Sequence, residues 1–128
     1  MRGDILVWSG RAAEALPWLE GALRFDRTDA RASLFLGVAY YFVDRYGEAI
    51  EALDRALAVN LGRATQLVGR PILAGSYAQF DRPHEAERER TTVMRMSPFL
   101  DTKRFAGQFG TQDARDHMLE GLKKAGFR

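Results

Sequence analysis

Apolar residues recur at helical spacing along almost the whole chain, and this periodicity restricts the fold class more than any other property of the sequence. No stretch alternates between apolar and polar residues in the way that a half-buried strand does. Breaks rich in Gly, Pro, Asp and Asn divide the chain into segments of roughly 13–17 residues, an ordinary helix length. These breaks lie at Ser9-Gly10, 26–29, Asp44-Arg45, 60–62, 81–83 and Ser97-Pro98. The sequence therefore predicts an all-α fold.

The ends of several predicted helices follow from local chemistry. Asp29, Asp81 and Asp101 are predicted to cap the helices that follow them, because a carboxylate accepts hydrogen bonds from free first-turn amides. Pro17 lies inside an otherwise helical segment, where it cannot donate to the helical ladder. It is expected to kink that helix or to leave one carbonyl without a partner.

One segment, residues 30–61, carries a denser pattern of aromatic, apolar and small side chains than the rest of the chain. The pattern consists of Leu36-Gly37, Tyr40, Tyr46, Ala49, Leu53 and Ala56-Leu57. It resembles the tetratricopeptide repeat, in which small residues stand where two helices approach closely and larger residues fill the space between them. The family period is about 34 residues. The resemblance implies a right-handed solenoid of antiparallel helix hairpins.

Partial copies of the pattern stand on both sides of this segment. One period earlier the matching residues are Ala15, Leu19 and Ala22-Leu23. One period later, with a displaced register, they are Leu73-Ala74, Tyr77, Ala86 and Pro98. We therefore expect about three repeats, namely a partial one at 1–28 and two more at 29–62 and 63–98. Residues 99–128 are predicted to form a helical cap outside the repeat.

The first repeat is shorter than the other two. Its first helix has to fit within residues 3–9, so the chain either begins inside a larger solenoid or exposes a repeat end. Such an end is normally polar, whereas Ile5, Val7 and Trp8 are apolar. If the chain does not begin inside a larger solenoid, we expect a partner to cover this end, and one such partner is a second copy of the chain in a homodimer through the N-terminal repeat.

The segment 99–128 does not continue the repeat. Thr111 precedes a predicted helix at 112–124. Its apolar positions fall on one face, at Ala114, Met118, Leu122 and Ala125. A helix of this kind is predicted to shield the exposed face of the final repeat. In the second helix of the third repeat, Arg90 and Val93 depart from the family pattern. That helix is therefore expected to be exposed on one side or to pack against another element.

The wording of residues 117–127 resembles the C-terminal tail of bacterial multidomain proteins in which a class III nucleotide cyclase domain precedes tetratricopeptide repeats. No cyclase catalytic domain fits within 128 residues beside the repeats. The resemblance thus implies a place in a signalling protein of that kind and does not imply its activity.

Composition excludes several classes of function. Cysteine is absent, which excludes disulfides, thiolate zinc sites and cysteine nucleophiles. The 19 basic and 17 acidic residues are well mixed, and a net charge of +2 does not predict a nucleic-acid partner. No apolar run approaches the roughly 20 residues that span a bilayer, and the stretch 5–8 is too short for a secretory signal. The sequence predicts a cytoplasmic protein without a membrane partner.

Residues with catalytic or metal-binding chemistry do not form a recognisable site. The sequence lacks a glycine-rich phosphate loop, a nucleophile elbow and a zinc-binding His-Glu-x-x-His pair. Asp113 and His117 are one helical turn apart, but two ligands do not make a metal site, so a solvated helix face is expected. His84 has no evident role as a base or a nucleophile. The run 85–90 with Arg95 alternates in charge, which is typical of a solvated, ion-paired face. We expect no catalytic residue, metal or cofactor.

In the tetratricopeptide family the first helices of successive hairpins line a concave groove. The resemblance places in this groove Trp8, Arg31, Leu34, Val38, Tyr41, Phe42 and Gln79, with Val7, Val68 and Gly75 beside them. Leu34 and Val38 replace polar members of the family's clamp for a C-terminal carboxylate, so a ligand of that kind is not expected. Aromatic residues at helical spacing are more often core, so Tyr41 and Phe42 are alternatively at least half buried. If exposed, they imply a partner, an identical subunit or the protein's own tail.

Three functions follow from these patterns. The leading hypothesis is a non-enzymatic scaffold that binds a protein or peptide through a largely apolar groove. The second is a regulatory region that follows a cyclase or another signalling domain. The third is a small-molecule enzyme, which needs a polar pocket that the sequence does not display.

Overall fold

The computed structural model of the chain describes residues 2–59 and 61–127, with the side chains of all of these except residues 2, 4 and 5. All regular secondary structure in this part of the chain is helical, so the predicted all-α fold is confirmed. The helices are α1 (Arg2–Trp8), α2 (Ala12–Phe25), α3 (Ala30–Phe42), α4 (Tyr46–Leu57), α5 (Arg63–Gln79), α6 (Pro83–Met96), α7 (Thr102–Ala106) and α8 (Gln112–Lys124). None of these helices is both long enough and apolar enough to cross a membrane.

The first six helices form three hairpins, α1–α2, α3–α4 and α5–α6, and each hairpin packs on the next through α2 against α3 and α4 against α5. Gly37 shows why the two helices of the central hairpin, α3 and α4, lie so close together. A Cβ atom added there would lie 2.6 Å from Leu53 Cγ, so no larger residue fits without a shift. Ala49 and Ala56 are fully buried on the facing helix. The architecture is that of a helical-repeat solenoid, as predicted.

Two of the predicted helix caps are confirmed and one is wrong. The Asp29 side chain accepts from the backbone N–H three residues later at 3.0 Å. Asp101 accepts from two first-turn N–H groups of α7. Asp81 does not cap α6, because its φ of 58° places it in the left-handed turn that leaves α5. Arg82 precedes α6 instead, makes no side-chain cap, and is followed by Pro83 in the first turn.

Two prolines lie inside helices. Pro17 is exposed in α2, which continues without interruption to Phe25, so water reaches the carbonyl that the proline leaves without a donor. Pro71, which the sequence pattern did not single out, lies buried inside α5. Both helices therefore continue through their proline despite its local preference.

The apolar face predicted for α8 is confirmed. Its buried residues, with the residue that follows the helix, are Ala114, Met118, Gly121, Leu122 and Ala125. α8 packs on α5, α7 and α3. Val93 of α6 is fully buried, and Arg90 lies against the loop after α8, where a Cβ atom on Gly126 would be 2.9 Å from Arg90 Nε. Helix α6 therefore packs against another element, which is one of its two predicted outcomes.

The N-terminal end of the stack is covered by the chain itself. Helix α1 is short, as expected, but Leu6 and Val7 are buried within the fold. The Trp8 ring stacks on Phe109 with a centroid distance of 5.2 Å. The expectation of an uncovered apolar end is therefore wrong for Val7 and only partly true of Trp8, because the segment after α7 folds back over α1. The side chain of Ile5 lies outside the described residues.

Candidate functional site

The first helices of the three hairpins, α1, α3 and α5, form one side of the stack, which we call the groove face. Both α1 and α5 pack against α3. The structure divides the predicted groove residues into two groups. Residues Tyr41, Phe42, Gly75 and Gln79 contact the tail, the segment 99–127 that contains α7 and α8. Residues Trp8, Arg31, Leu34 and Val68 line an open pocket. Val38 is buried in the core.

Helix α8 lies directly on the groove face at the C-terminal ends of α3 and α5. A Cβ atom added to Gly75 would be 3.5 Å from the backbone of Gly121, so α5 and α8 approach at backbone distance. A methyl group on Gly121 would overlap the hydroxyl of Tyr41. As a result Tyr41 has no exposed surface, and the prediction that it is at least half buried is confirmed.

Hydrogen bonds set the position of α8 on the two helices beneath it. Tyr41 Oη donates to the backbone carbonyl of His117 at 2.7 Å. Gln79 Nε2 donates to Glu120 Oε1 at 3.2 Å, and Gln79 Oε1 accepts from Lys124 Nζ at 2.9 Å. Burial raises the pKa of Tyr41 well above its ordinary value, so its phenol stays a neutral donor.

The His117 side chain turns onto the loop between α3 and α4. Its ring centroid lies 4.7 Å from Tyr41, 5.8 Å from Phe42 and 6.1 Å from Tyr46. Its Nε2 atom lies 2.8 Å from Tyr46 Oη and 3.2 Å from Asp44 Oδ1. The solvated role expected for His117 is therefore wrong, because α8 presents this residue to the repeat. Burial, and then the hydrogen bond to Asp44, raise the pKa of Tyr46. No group of carboxylates and histidines in the described part of the chain could hold a metal ion.

Phe109 joins the tail to both groups of groove residues. Its ring stacks on Trp8 at an interplanar angle of 17° and meets Phe42 edge-on at 4.8 Å. Trp8 in turn meets Phe35 at 6.2 Å. The backbone follows the same path, since the N–H of Gly110 donates to the carbonyl of Trp8 at 2.8 Å. The first helix of the chain is thus fixed to its last segment.

The open pocket has a volume of about 320 Å³ and lies beside this aromatic cluster. Its lining consists of Trp8, Arg31, Leu34, Phe35, Leu61, Ala64, Thr65 and Val68. Leu61 is 39% exposed at the rim. The Arg31 guanidinium carbon lies 5.6 Å from the centroid of the Phe35 ring. Pockets of this size hold small ligands or single anchoring side chains. The pocket is therefore the part of the groove face that the tail leaves open.

The energy of burial decides whether the tail is a removable occupant of the groove. Its large buried side chains are Phe105, Phe109, Met118, Leu122 and Phe127. Burying each such side chain contributes roughly 1.5–3 kcal/mol, as an upper estimate. Before the entropy cost of ordering the tail is subtracted, the set contributes as much as the roughly 5–15 kcal/mol by which a whole domain is stable. The tail is thus part of the folded core, and it narrows the groove face.

Sequence reasoning missed part of this site. Leu61 and Thr65 were not among the predicted groove residues, although they line the pocket. Phe109 was not predicted to be a neighbour of Trp8, although the two rings stack. A signal was present for Leu61, because it is an apolar residue in a polar loop. No local pattern links residues 8 and 109.

Comparison with known protein families gives a match for part of the chain. The family model described as tetratricopeptide repeat matches residues 6–68, from α1 through α4 and into α5. The predicted family resemblance is confirmed for this span. No curated protein matches the chain. The likeness of residues 117–127 to the tail of nucleotide cyclases lies outside the matched span and stays a prediction.

Proposed function

Since residues 6–68 belong to the tetratricopeptide repeat family, we propose that the chain is a non-enzymatic scaffold for protein–protein contacts. Repeats of this family generally mediate protein–protein interaction. The observation that carries the proposal is the open pocket on the groove face, which the tail leaves uncovered. Such a pocket suits an apolar anchoring side chain of a partner segment, with polar groups of the segment near Arg31.

The proposed binding residues are a subset of those that the family resemblance implied. Trp8 and Arg31 retain accessible surface at the pocket, and Leu34 contributes to its floor. Val38 and Tyr41 are buried, so they support the groove face and do not touch a partner in this conformation. Substitution at Tyr41 would therefore report on the seating of the tail.

The residues Phe42 and Gln79 lie at the contact with α8. Phe42 packs on Phe109, and Gln79 bonds Glu120 and Lys124. We propose that these two residues hold the wall of the groove and that recognition is confined to the open pocket.

The test begins with peptides selected from a displayed random library on the intact chain. Their affinity is then measured for Leu61→Asp and for the control Phe99→Asp. Both positions are exposed apolar residues outside helices, at 39% and 96% exposure, so neither change should affect folding. A carboxylate at the pocket rim should weaken binding by about tenfold or more, because it places a charge against apolar surface.

The control variant should bind within about twofold of the unaltered chain, a change well below 1 kcal/mol. Circular dichroism of both variants checks that helix content is unchanged. Equal losses in the two variants, or selected peptides that ignore Leu61→Asp, would remove the open pocket as the binding site.

A homodimer through the N-terminal repeat end is a second, weaker proposal. Among the described residues of this end, Leu6 and Val7 are buried by their own chain and Trp8 is partly buried, which reduces the apolar surface on which that dimer was expected. The mass of the protein in solution as a function of concentration tests it, and a monomer at high concentration would exclude it. The role as a regulatory region of a cyclase also stays a prediction.

A further inference from the structure

We propose that the chain also binds an acidic segment of a partner protein, in a cleft between α2 and α4 that we call the arginine cleft. The cleft has a volume of about 890 Å³. It is lined by Glu20, Leu23, Arg24, Arg27, Leu36 and Arg55. This site is separate from the open pocket, so a test of one site does not decide the other.

The cleft faces away from the groove. Helices α2 and α4 both pack against α3, but they do not pack against each other, and this leaves a channel along the outside of the stack. Leu36 of α3 forms the floor of the channel. It is two residues from both Leu34 and Val38, which turns it by about 200° around the helix axis from those groove positions. The second helices of two successive hairpins therefore form the walls of the cleft.

The charges of the cleft are unbalanced. Arg24, Arg27 and Arg55 are exposed, and no carboxylate in the described part of the chain forms an ion pair with any of them. Glu20 is the acidic member of the lining, and it accepts the hydroxyl hydrogen of Tyr40 at 3.0 Å. Three guanidinium groups thus face one carboxylate.

Helix dipoles reduce this imbalance without removing it. Arg24 and Arg55 lie in the last turns of α2 and α4, where cations are favourable. The carbonyl end of a helix carries a partial charge of only about −0.5. The negative charge of two such ends and of Glu20 together is smaller than the positive charge of the three arginines. The cleft therefore keeps a positive charge that a ligand can neutralise.

The chemistry of the lining favours a peptide. Arginine binds carboxylates through paired N–H groups, and each such pair also fixes the geometry of the ligand. Leu23 and Leu36 offer an apolar floor between the arginines. None of the described residues that line the cleft is aromatic, whereas binding of single-stranded nucleic acid relies on stacked rings. The fitting ligand is an acidic segment with at least one apolar side chain.

The experiment uses the intact chain and a fluorescein-labelled peptide composed of glutamate and leucine. A matched peptide with glutamine in place of glutamate serves as the uncharged probe. Fluorescence anisotropy measures the affinity for the unaltered chain and for the triple variant Arg24→Gln, Arg27→Gln and Arg55→Gln. We expect the acidic peptide to bind about tenfold more weakly to this variant, the effect of three exposed ion pairs of ordinary strength.

A second triple variant removes the same charge elsewhere. It carries Arg88→Gln, Arg95→Gln and Arg104→Gln on α6 and α7, where all three residues are exposed. Its affinity for the acidic peptide should stay within about twofold of the unaltered chain. In addition, Leu61→Asp should leave the acidic peptide bound, because the open pocket lies on the other side of the stack.

Several results would overturn the proposal. Equal weakening in the two triple variants would show a general effect of net charge. Equal binding of the glutamine peptide would show that the carboxylates are not recognised. Absence of binding, or tighter binding of inorganic phosphate or of a single-stranded oligonucleotide, would also exclude an acidic peptide as the ligand.

Discussion

The two halves of the groove face share helices α3 and α5 but differ in their exposure to solvent. Where α8 crosses α3 and α5, Tyr41 has no exposed surface. At the other ends of the same helices, Leu61 at the pocket rim is 39% exposed. The covered half contains a pair of glycines, Gly75 and Gly121, that lets two backbones meet. The open half has longer side chains, and no helix in the described part of the chain lies over it.

This difference shows that a repeat face need not be available for recognition over its whole length. A groove position that is apolar in the sequence serves either a partner or the chain's own core, and burial distinguishes the two. Four changes test the distinction, in order of decreasing expected effect on the free energy of unfolding.

The largest effect is expected from truncation after Pro98, which removes the tail. Its five large buried side chains contribute roughly 7–15 kcal/mol together, as an upper estimate, which is comparable to the stability of a domain. The truncated chain should therefore lose its cooperative urea transition while it keeps part of its helix content. An unchanged transition midpoint would show that the covered half of the groove is stable without its cover.

The second prediction compares one leucine from each half. Leu122→Ala removes a fully buried side chain and should lower the free energy of unfolding by about 2–5 kcal/mol. Leu61→Ala, at the exposed rim, should lower it by less than about 0.5 kcal/mol. Urea denaturation of both variants measures the difference. Similar losses at the two positions would contradict the division of the face into covered and open halves.

The third prediction concerns the contact between Gly121 and Tyr41. Gly121→Ala should cost about 1–3 kcal/mol, because the new methyl group overlaps the phenol oxygen. Tyr41→Phe alone should cost about 1 kcal/mol through the lost hydrogen bond to His117. The double variant should cost less than the sum, since removal of the oxygen makes room for the methyl group. Strict additivity would mean that the two residues are not in contact.

The smallest effect is expected at Gln79. Its bonds to Glu120 and Lys124 are exposed, so Gln79→Ala should change the free energy of unfolding by less than about 0.5 kcal/mol. A loss of more than about 1.5 kcal/mol, the upper end for an ordinary hydrogen bond, would mean that polar contacts hold the tail as much as apolar ones do.

Local signals predicted the helices well. The carboxylates of Asp29 and Asp101 cap the helices for which they were chosen, and the apolar stripe of α8 is buried as its spacing indicated. Asp81 failed as a predicted cap because the same residue type also favours the left-handed turn, where the structure places it. Sequence alone does not decide between these two uses of aspartate.

The state of the groove was not predictable from local patterns. The sequence left open whether Tyr41 and Phe42 meet a partner, a second subunit or the tail. The answer depends on a contact between residues 41 and 117, which no helical period connects. Gly121 was one of many glycines in the chain, and its role becomes visible only when Tyr41 is placed against it. Long-range packing, rather than propensity, decided which groove residues remain accessible.

The contact between Trp8 and Phe109 has a consequence for the order of folding. Most repeat proteins are quasi-linear, so each unit contacts only its neighbours and folding propagates along the stack. Here the first helix is completed by a segment near the other end of the chain, which adds loop-closure entropy to the barrier. During synthesis the three hairpins therefore emerge before Phe109, whose ring packs on Trp8. We expect the finished protein to unfold as one cooperative unit, in the manner of a closed globular domain.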